Sequence, residues 1–313
     1  MNTFAVEPVS EKDLPDVRDF LTRYEFLCTA LTALFVRRRT QDSSLQFFLP
    51  RSGTCSLVRL KKKTGKDFLI GVLYISPCGL VYHCLPFFEK NAKDFFFGTE
   101  DSFAQLKHLL SNVFKNVPIS SIVGSAPASL FLENCFNRRA KEYRTYKLMK
   151  LITDSRKAAE YGDLSFAAPQ KNISILRCLP EHGAALFPLI KAYYEEEVFS
   201  AYVKTEEDVL RRLFAGKLKT QIILGLTVPP GFFAATAGTA AIGMRYAQLG
   251  GVYTIPAFRR RGFACLLVSR LCTELQKNGY TPVLFTDTKN TAAYSLYTSC
   301  GFSVCGDYRI AYF

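Results

Sequence analysis

The chain has 313 residues, 49% apolar and 21% charged, which excludes a disordered or fibrous protein and leaves room for two compact cores. Lys and Arg total 40 against 27 Asp and Glu, a formal net charge of +13 that favours an anionic partner: nucleic acid, a membrane surface or a phosphorylated small molecule. Apolar stretches such as "FLCTALTALFV" are shorter than the roughly eighteen residues of a spanning helix, and Glu7, Glu11 and Asp13 stand where an export signal would be basic; a cytoplasmic protein without membrane contact is expected.

In chain order, apolar residues return at three- and four-residue intervals from about Leu14 to Arg39, which predicts one long helix with a basic C-terminal end. "FLIGVLYIS" and "GLVYHCLPFF" read as a hairpin turned at Pro77 to Gly79. A helix from about Asp101 to Phe114 follows, then a strand "ISSIVGS", a helix through "ASLFLENCF" and a strand "YRTYKLMKL". Periodicity fades between about Thr153 and Gln170, so domains are placed at 1–165 and 170–313.

The second half opens with "NISILRCL" and a helix from Glu181 through the acidic "YYEEEV". It continues with a helix from Glu206 to Ala215 and the strands "TQIILGLTV", "FAATAGTAAIGM" and "YAQLGGVYTI". A helix from Gly262 to Asn278, the strand "PVLFTD", a helix from about Thr291 to Cys300 and two closing strands, "FSVCGD" and "RIAYF", complete it. The alternation gives an α/β (α+β) class. Both halves run hairpin, long helix, strand, helix, strand, an order that an internal duplication or coincidence among common α/β patterns would equally give.

Between the strand ending at Ile255 and the helix opening at Gly262 lies "PAFRRRGFA". A helix start offers unpaired N–H groups and the positive end of the dipole, a site for phosphate, and Gly262 and Ala264 are small enough to admit it. The pattern is neither GxxxxGK[ST] nor GxGxxG; it is R-x-x-G-x-A on Arg259, Gly262 and Ala264. Further on, "TKNTAAYSLYTSCGF" puts Asn290 at a helix start and Tyr297 two turns along the same face, before Gly301-Phe302.

That succession resembles the acetyl-CoA-binding core of the GNAT superfamily of N-acetyltransferases, specifically over about Gly250 to Phe302 and loosely back to Asn172. The resemblance implies two tandem GNAT-like domains, each a mixed, mostly antiparallel sheet flanked by helices. It implies a strand at Val252, Tyr253 and Thr254 that splays from its neighbour and binds the pantetheine arm. The loop amides of Arg260, Arg261, Gly262, Phe263 and Ala264, with Cys265 next, would wrap the pyrophosphate, and Arg259 and Asn290 would contact the cofactor. Where family members often carry R-G-x-G, this chain has Arg259-Arg260-Arg261-Gly262, so the first turn lacks its glycine.

By the same resemblance Tyr297 is the general acid for the departing thiolate; a phenol of pKa about 10 suits a thiol titrating about 1.5 units lower. Core packing is the plain alternative for Tyr297, and helix capping for Asn290. Glu195, Glu196 and Glu197 lie where relatives contact substrate, and Glu196 and Glu197 are the candidate acceptor-binding residues, with a solvated helix face as the alternative. The first half shows no R-x-x-G-x-A and is expected to be a degenerate GNAT-like domain that shapes the acceptor cleft or forms an interface, including that of a homodimer.

Three functions compete: an acetyl-CoA-dependent N-acetyltransferase acting on a primary amine of a small molecule or protein, a non-catalytic CoA-binding sensor, and a basic nucleic-acid-binding protein. The basic clusters are short and dispersed, which weighs against nucleic acid. Ten scattered cysteines without a CxxC pair, and only His83, His108 and His182 as imidazoles, read as reduced core residues with no metal site.

Overall fold

The computed structural model describes residues 3–38, 45–61, 67–89, 100–136, 138–152, 173–199 and 204–313. They form two compact units, Met1–Leu148 with Gly306–Phe313, and Met149–Cys305. The sequence division at 165 and 170 is serial; here the last residues of the chain cluster with the first unit. The connection expected over 153–170 lies outside the described residues.

Unit 1 begins with β1 (Thr3–Pro8), α1 (Leu14–Tyr24), α2 (Thr29–Phe35), β2 (Val36–Arg38), β3 (Leu45–Phe47), β4 (Thr54–Lys61) and β5 (Asp67–Ile75). It continues with β6 (Leu80–Cys84), α3 (Glu100–Phe114), β7 (Ser121–Ser125), α4 (Ala126–Glu133) and β8 (Glu142–Leu151). Its main sheet runs β1-β4-β5-β6-β7, antiparallel except for the β6 and β7 pair. The predicted hairpin is β5 and β6, turned at Gly79 with φ +79, where a Cβ would lie 1.9 Å from the Pro118 carbonyl oxygen.

The single helix expected from Leu14 to Arg39 is instead two. The carbonyl of buried Glu25 accepts from both the Cys28 amide and the Thr29 hydroxyl, each at 3.0 Å, and this local competition breaks the helical ladder. Val36 to Arg38, expected to end that helix, form strand β2 paired with β3. Strands β1 and β4, absent from the sequence reading, build one edge of the sheet.

Unit 2 holds β9 (Ser174–Arg177), α5 (Gly183–Tyr193), α6 (Glu207–Thr220), β10 (Ile223–Val228), β11 (Phe232–Ile242) and β12 (Tyr246–Thr254). After these come α7 (Phe263–Lys277), β13 (Thr281–Asp287), α8 (Thr291–Ser299) and β14 (Phe302–Tyr312). Its sheet order is β9-β10-β11-β12-β13, antiparallel except between β12 and β13. The two closing strands expected around Gly306-Asp307 are one continuous strand, which leaves unit 2 after Cys305.

Strand alternation divides the packing of unit 2. Leu224, Leu226 and Val228 of β10 point into a core with Leu267, Leu271 and Leu275, which repeat every four residues on α7. Ile223 of β10 and Phe233 of β11 point the other way, onto Leu186 and Ile190 of α5 and Leu210 and Phe214 of α6. Each buried leucine contributes about 1.5–3 kcal/mol of transfer free energy, so helices packed on both faces fix the sheet in which β12 lies. No described helix is long and apolar enough to cross a membrane.

Candidate active site

The site begins with a backbone irregularity. On β12, Tyr253 pairs with Thr236 and Gly250 with Gly238, so Gly251 and Val252 stand opposite the single residue Ala237. This is a bulge, with Gly251 at φ +63, and it takes backbone groups out of the β11 ladder. On the other edge, β12 pairs with β13 only from Tyr246 to Gln248 against Thr281 to Val283. Beyond Gln248 the strands separate, leaving a cleft edged by Leu249 to Thr254. The splayed strand expected at Val252, Tyr253 and Thr254 is therefore present. Thr254 Oγ1 is buried and has no hydrogen-bond partner among the described residues.

The strand runs into the arginine loop, and two residues there adopt left-handed backbone. Gly262, at φ +77, is the N-cap of α7; Arg260, at φ +62, adopts a left-handed conformation that favours glycine, at the position where R-G-x-G would supply one. A non-glycine residue in that region costs about 1–2 kcal/mol. A Cβ on Gly262 would meet nothing within 4 Å, so this glycine is needed for its φ angle. No side chain caps α7, which leaves the amides of Phe263, Ala264 and Cys265 at its open N-terminus. The guanidinium of Arg260 is exposed and has no partner among the described residues. Arg261 donates to the Ala257 carbonyl at 3.3 Å and lies 4.9 Å over the Phe258 ring. The Phe263 ring is core, 2% exposed.

Arg259 and Glu196, expected in different roles, form one ion pair. Arg259 Nη2 donates to both Glu196 carboxylate oxygens at 2.7 and 2.6 Å, and its Nε donates to the Thr254 carbonyl at 2.9 Å. The Tyr253 hydroxyl donates to the same carboxylate at 2.9 Å. Arg259 hydrogen bonding, helped by Tyr253, holds the Glu196 carboxyl below its ordinary range. Tyr253 is pushed up, first by burial and then by the carboxylate it contacts.

The acidic segment reaches these partners because α5 ends in a π-helical turn, Tyr194–Val198, closed by the Phe199 amide on the Tyr194 carbonyl at 2.7 Å. The wider turn directs Glu196 to the loop and Glu197 to α8. There Asn290 Nδ2 donates to the Glu197 oxygens at 3.3 and 3.4 Å, while its Oδ1 accepts from the Ala293 amide at 2.9 Å. Asn290 is thus the N-cap of α8, and both ends of its amide are engaged within the protein.

Tyr297 is 9% exposed, with its ring 6.0 Å from that of Phe302. Its hydroxyl has no hydrogen-bond partner among the described residues. Burial raises its pKa, with smaller contributions from Tyr193, Cys300 and Glu197. Tyr193, which sequence reading does not single out, is half-buried, and desolvation pushes it up to about 12, partly offset by a hydrogen bond from the Gly251 amide. Its signal was invisible without the π turn that ends its helix.

Cys265, in the first turn of α7, has its Sγ 3.7 Å from that of Cys300. Hydrogen bonding from Cys300 holds the Cys265 thiol below its ordinary range against the opposing effect of burial, and the Cys300 thiol is raised in turn. Among the described residues no three His, Cys, Asp or Glu side chains converge as metal ligands.

Unit 1 has the matching splay, with β6 and β7 paired only from Leu80 to Tyr82 against Ser121 to Val123. His83 follows immediately. Its Nε2 lies 2.8 Å from Ser129 Oγ and would be 2.3 Å from a Cβ placed on Gly124, so the ring is packed tightly against β7. Burial lowers its pKa to about 3, which keeps it neutral. The stretch where a counterpart of the arginine loop is expected, 86–102, lies outside the described residues over 90–99.

Residues 231–310 match the family model of FR47-like proteins. No protein with a curated description matches the sequence. Among solved structures, a tandem GNAT protein from the clavulanic acid biosynthesis pathway is 11% identical at TM-score 0.55, covering 98% of this chain and 97% of that one. A GNAT-family acetyltransferase from Colwellia psychrerythraea is 14% identical at TM-score 0.52, covering 99% of both chains. A putative GNAT acetyltransferase from Novosphingobium aromaticivorans is 20% identical at TM-score 0.39; the match covers 55% of this chain and 65% of that one. With the bulged, splayed strand and the left-handed loop in unit 2, the two matches that span the whole chain show a tandem GNAT fold, and the FR47-like match falls in its C-terminal half.

Proposed function

We propose that the protein is an acetyl-CoA-dependent N-acetyltransferase that acts on a primary amine through unit 2. One observation carries the reading: β12 bulges, parts from β13 and runs directly into a left-handed loop at the open N-terminus of α7. Buried Thr254 Oγ1 and the Arg260 guanidinium, both without a partner among the described residues, and the uncapped amides of α7 fit a ligand with an amide-bearing arm and a pyrophosphate. Arg259 belongs to the loop's anchorage, since its guanidinium is taken by Glu196.

When bound, acetyl-CoA supplies the activated acetyl thioester. Backbone N–H groups freed by the β12 bulge stabilise charge developing on the carbonyl oxygen. Glu197, beside Asn290 and acting electrostatically on Tyr193 and Tyr297, attracts the acceptor's ammonium and takes its proton. Tyr297 gives its phenolic proton to the departing sulfur, and the second proton shed by the amine nitrogen as the amide forms restores the phenol; burial raises its pKa, so the phenol enters the step fully protonated.

Isothermal titration of acetyl-CoA into the wild type and Tyr297→Phe, followed by thiol release with a panel of amines, tests this. Both should bind equally, and the variant should lose about 10²–10⁴-fold in thiol release. Absence of binding by the wild type overturns the enzyme reading. Equal binding without thiol release from any amine favours a non-catalytic sensor.

A further inference from the structure

Unit 1 carries a concave basin of about 770 Å³, where the last turns of α3 meet the chain that follows α4. That volume is in the range of small-molecule sites. Lys107, Lys115 and Arg138 line it, and among the described residues no Asp or Glu does. None of the three cations forms an ion pair among the described residues. Lys107 and Lys115 alone could be read as cations complementing the C-terminal end of the α3 dipole. Arg138 comes from a different segment, so the helix end does not account for the convergence. The basin also has an aromatic wall: the Phe136 ring stacks on Phe114 at 4.4 Å and lies 5.4 Å from Phe313.

We propose that this basin in unit 1 is a second ligand site, separate from the cleft of unit 2, that takes a mononucleotide-like small molecule with a phosphoryl group and a planar ring. The three cations meet the phosphoryl oxygens, with Arg138 supplying the planar fork suited to them. Phe136 and Phe313 meet the ring face, as aromatic side chains do for nucleobases. Asn112 and Asn134 on the rim add amide donors and acceptors for ring edges. A polynucleotide would require a track of cations leading out of the basin; here they ring a single concavity. The proposal does not depend on acyl transfer.

Isothermal titration on the full chain tests it with AMP, inorganic pyrophosphate and a short single-stranded RNA. The wild type should bind AMP, more weakly as salt rises. Lys115→Glu with Arg138→Glu, both exposed, should leave thermal unfolding unchanged and weaken AMP binding at least about tenfold, as expected for loss of charge-assisted hydrogen bonds. Phe136→Leu should weaken AMP and spare pyrophosphate. Arg260→Glu, on the unit 2 loop, should leave AMP affinity as it is. No AMP binding at millimolar concentration overturns the proposal, as does wild-type affinity in the double variant. Loss of AMP binding in Arg260→Glu would assign it to unit 2, and far tighter binding of RNA than of AMP would replace the site with a nucleic-acid surface.

Discussion

Glu196 ties three parts of unit 2 together: the π turn it sits on, Tyr253 of β12 and Arg259 of the loop. The geometry is that of a strong pair, yet the two side chains are 39% and 41% exposed, so solvent screening limits the contribution to about 0.2–1 kcal/mol. The folded-state carboxyl is depressed, so its contribution is present above the ordinary carboxylate pKa of about 4.3 and is lost as pH falls through the lower folded value. Glu196→Gln should therefore unfold in less urea than the wild type at pH 7, by under about 1 kcal/mol, and the difference should shrink toward pH 3. A difference that grows on acidification would mean that the carboxyl is not stabilised in its charged form. Arg259 and Glu196 each stand out in the sequence as site candidates, but 63 positions separate them and no spacing rule joins them. Sequence could place Arg259 at the loop; only the fold shows which anion holds it.

The loop opening α7 is an element whose conformation rests on two left-handed residues, one of the usual type and one not. Because a Cβ on Gly262 meets open space, Gly262→Ala isolates the backbone cost, about 1–2 kcal/mol in a denaturation experiment. Arg260→Gly should be close to neutral: relief of a similar strain is offset by the greater entropy that glycine has in the unfolded chain, about 0.5–1 kcal/mol. If Gly262→Ala proves neutral, the loop does not adopt the left-handed turn. At this scale the strands and helices flanking the loop were readable, because apolar periodicity and the punctuation at Pro256 and Gly262 agree. Three features were not. The break after Tyr24 comes from a carbonyl shared by Cys28 and Thr29, the π turn closes with the Phe199 amide on the Tyr194 carbonyl, and Gly306-Asp307 resembles a turn but runs extended, with Gly306 packed on Leu148. Each is decided by local contacts that leave no periodic trace.

For the whole molecule, the consequential fact is that the first compact unit is not finished until the last residues of the chain are in place. Tyr308 and Ala311 are buried there, and Tyr308 to Tyr312 pair with Ser125 to Ser121 along β7. Arg309 donates to Glu133 at the end of α4 at 2.6 and 3.0 Å, and its guanidinium lies 3.9 Å over the Tyr143 ring. Their side chains are 9% and 15% exposed, so removing one partner leaves the other charge poorly hydrated. A serial reading of the sequence assigns this strand to the second domain, because pairing across such a chain distance has no local signature. Glu133→Ala should cost unit 1 about 3 kcal/mol, and deletion of Gly306–Phe313 should cost it far more, since the ladder and the buried rings are lost along with the ion pair. Hydrogen exchange locates the effect: in the deletion, amides of β7 and α4 should lose protection while those of β11 and α7 keep theirs. Wild-type protection across β7 in the truncated chain would mean that unit 1 closes without residues 306–313. Loss of protection in both units together would mean that the chain unfolds as one cooperative body, with the final strand supporting unit 2 as much as unit 1.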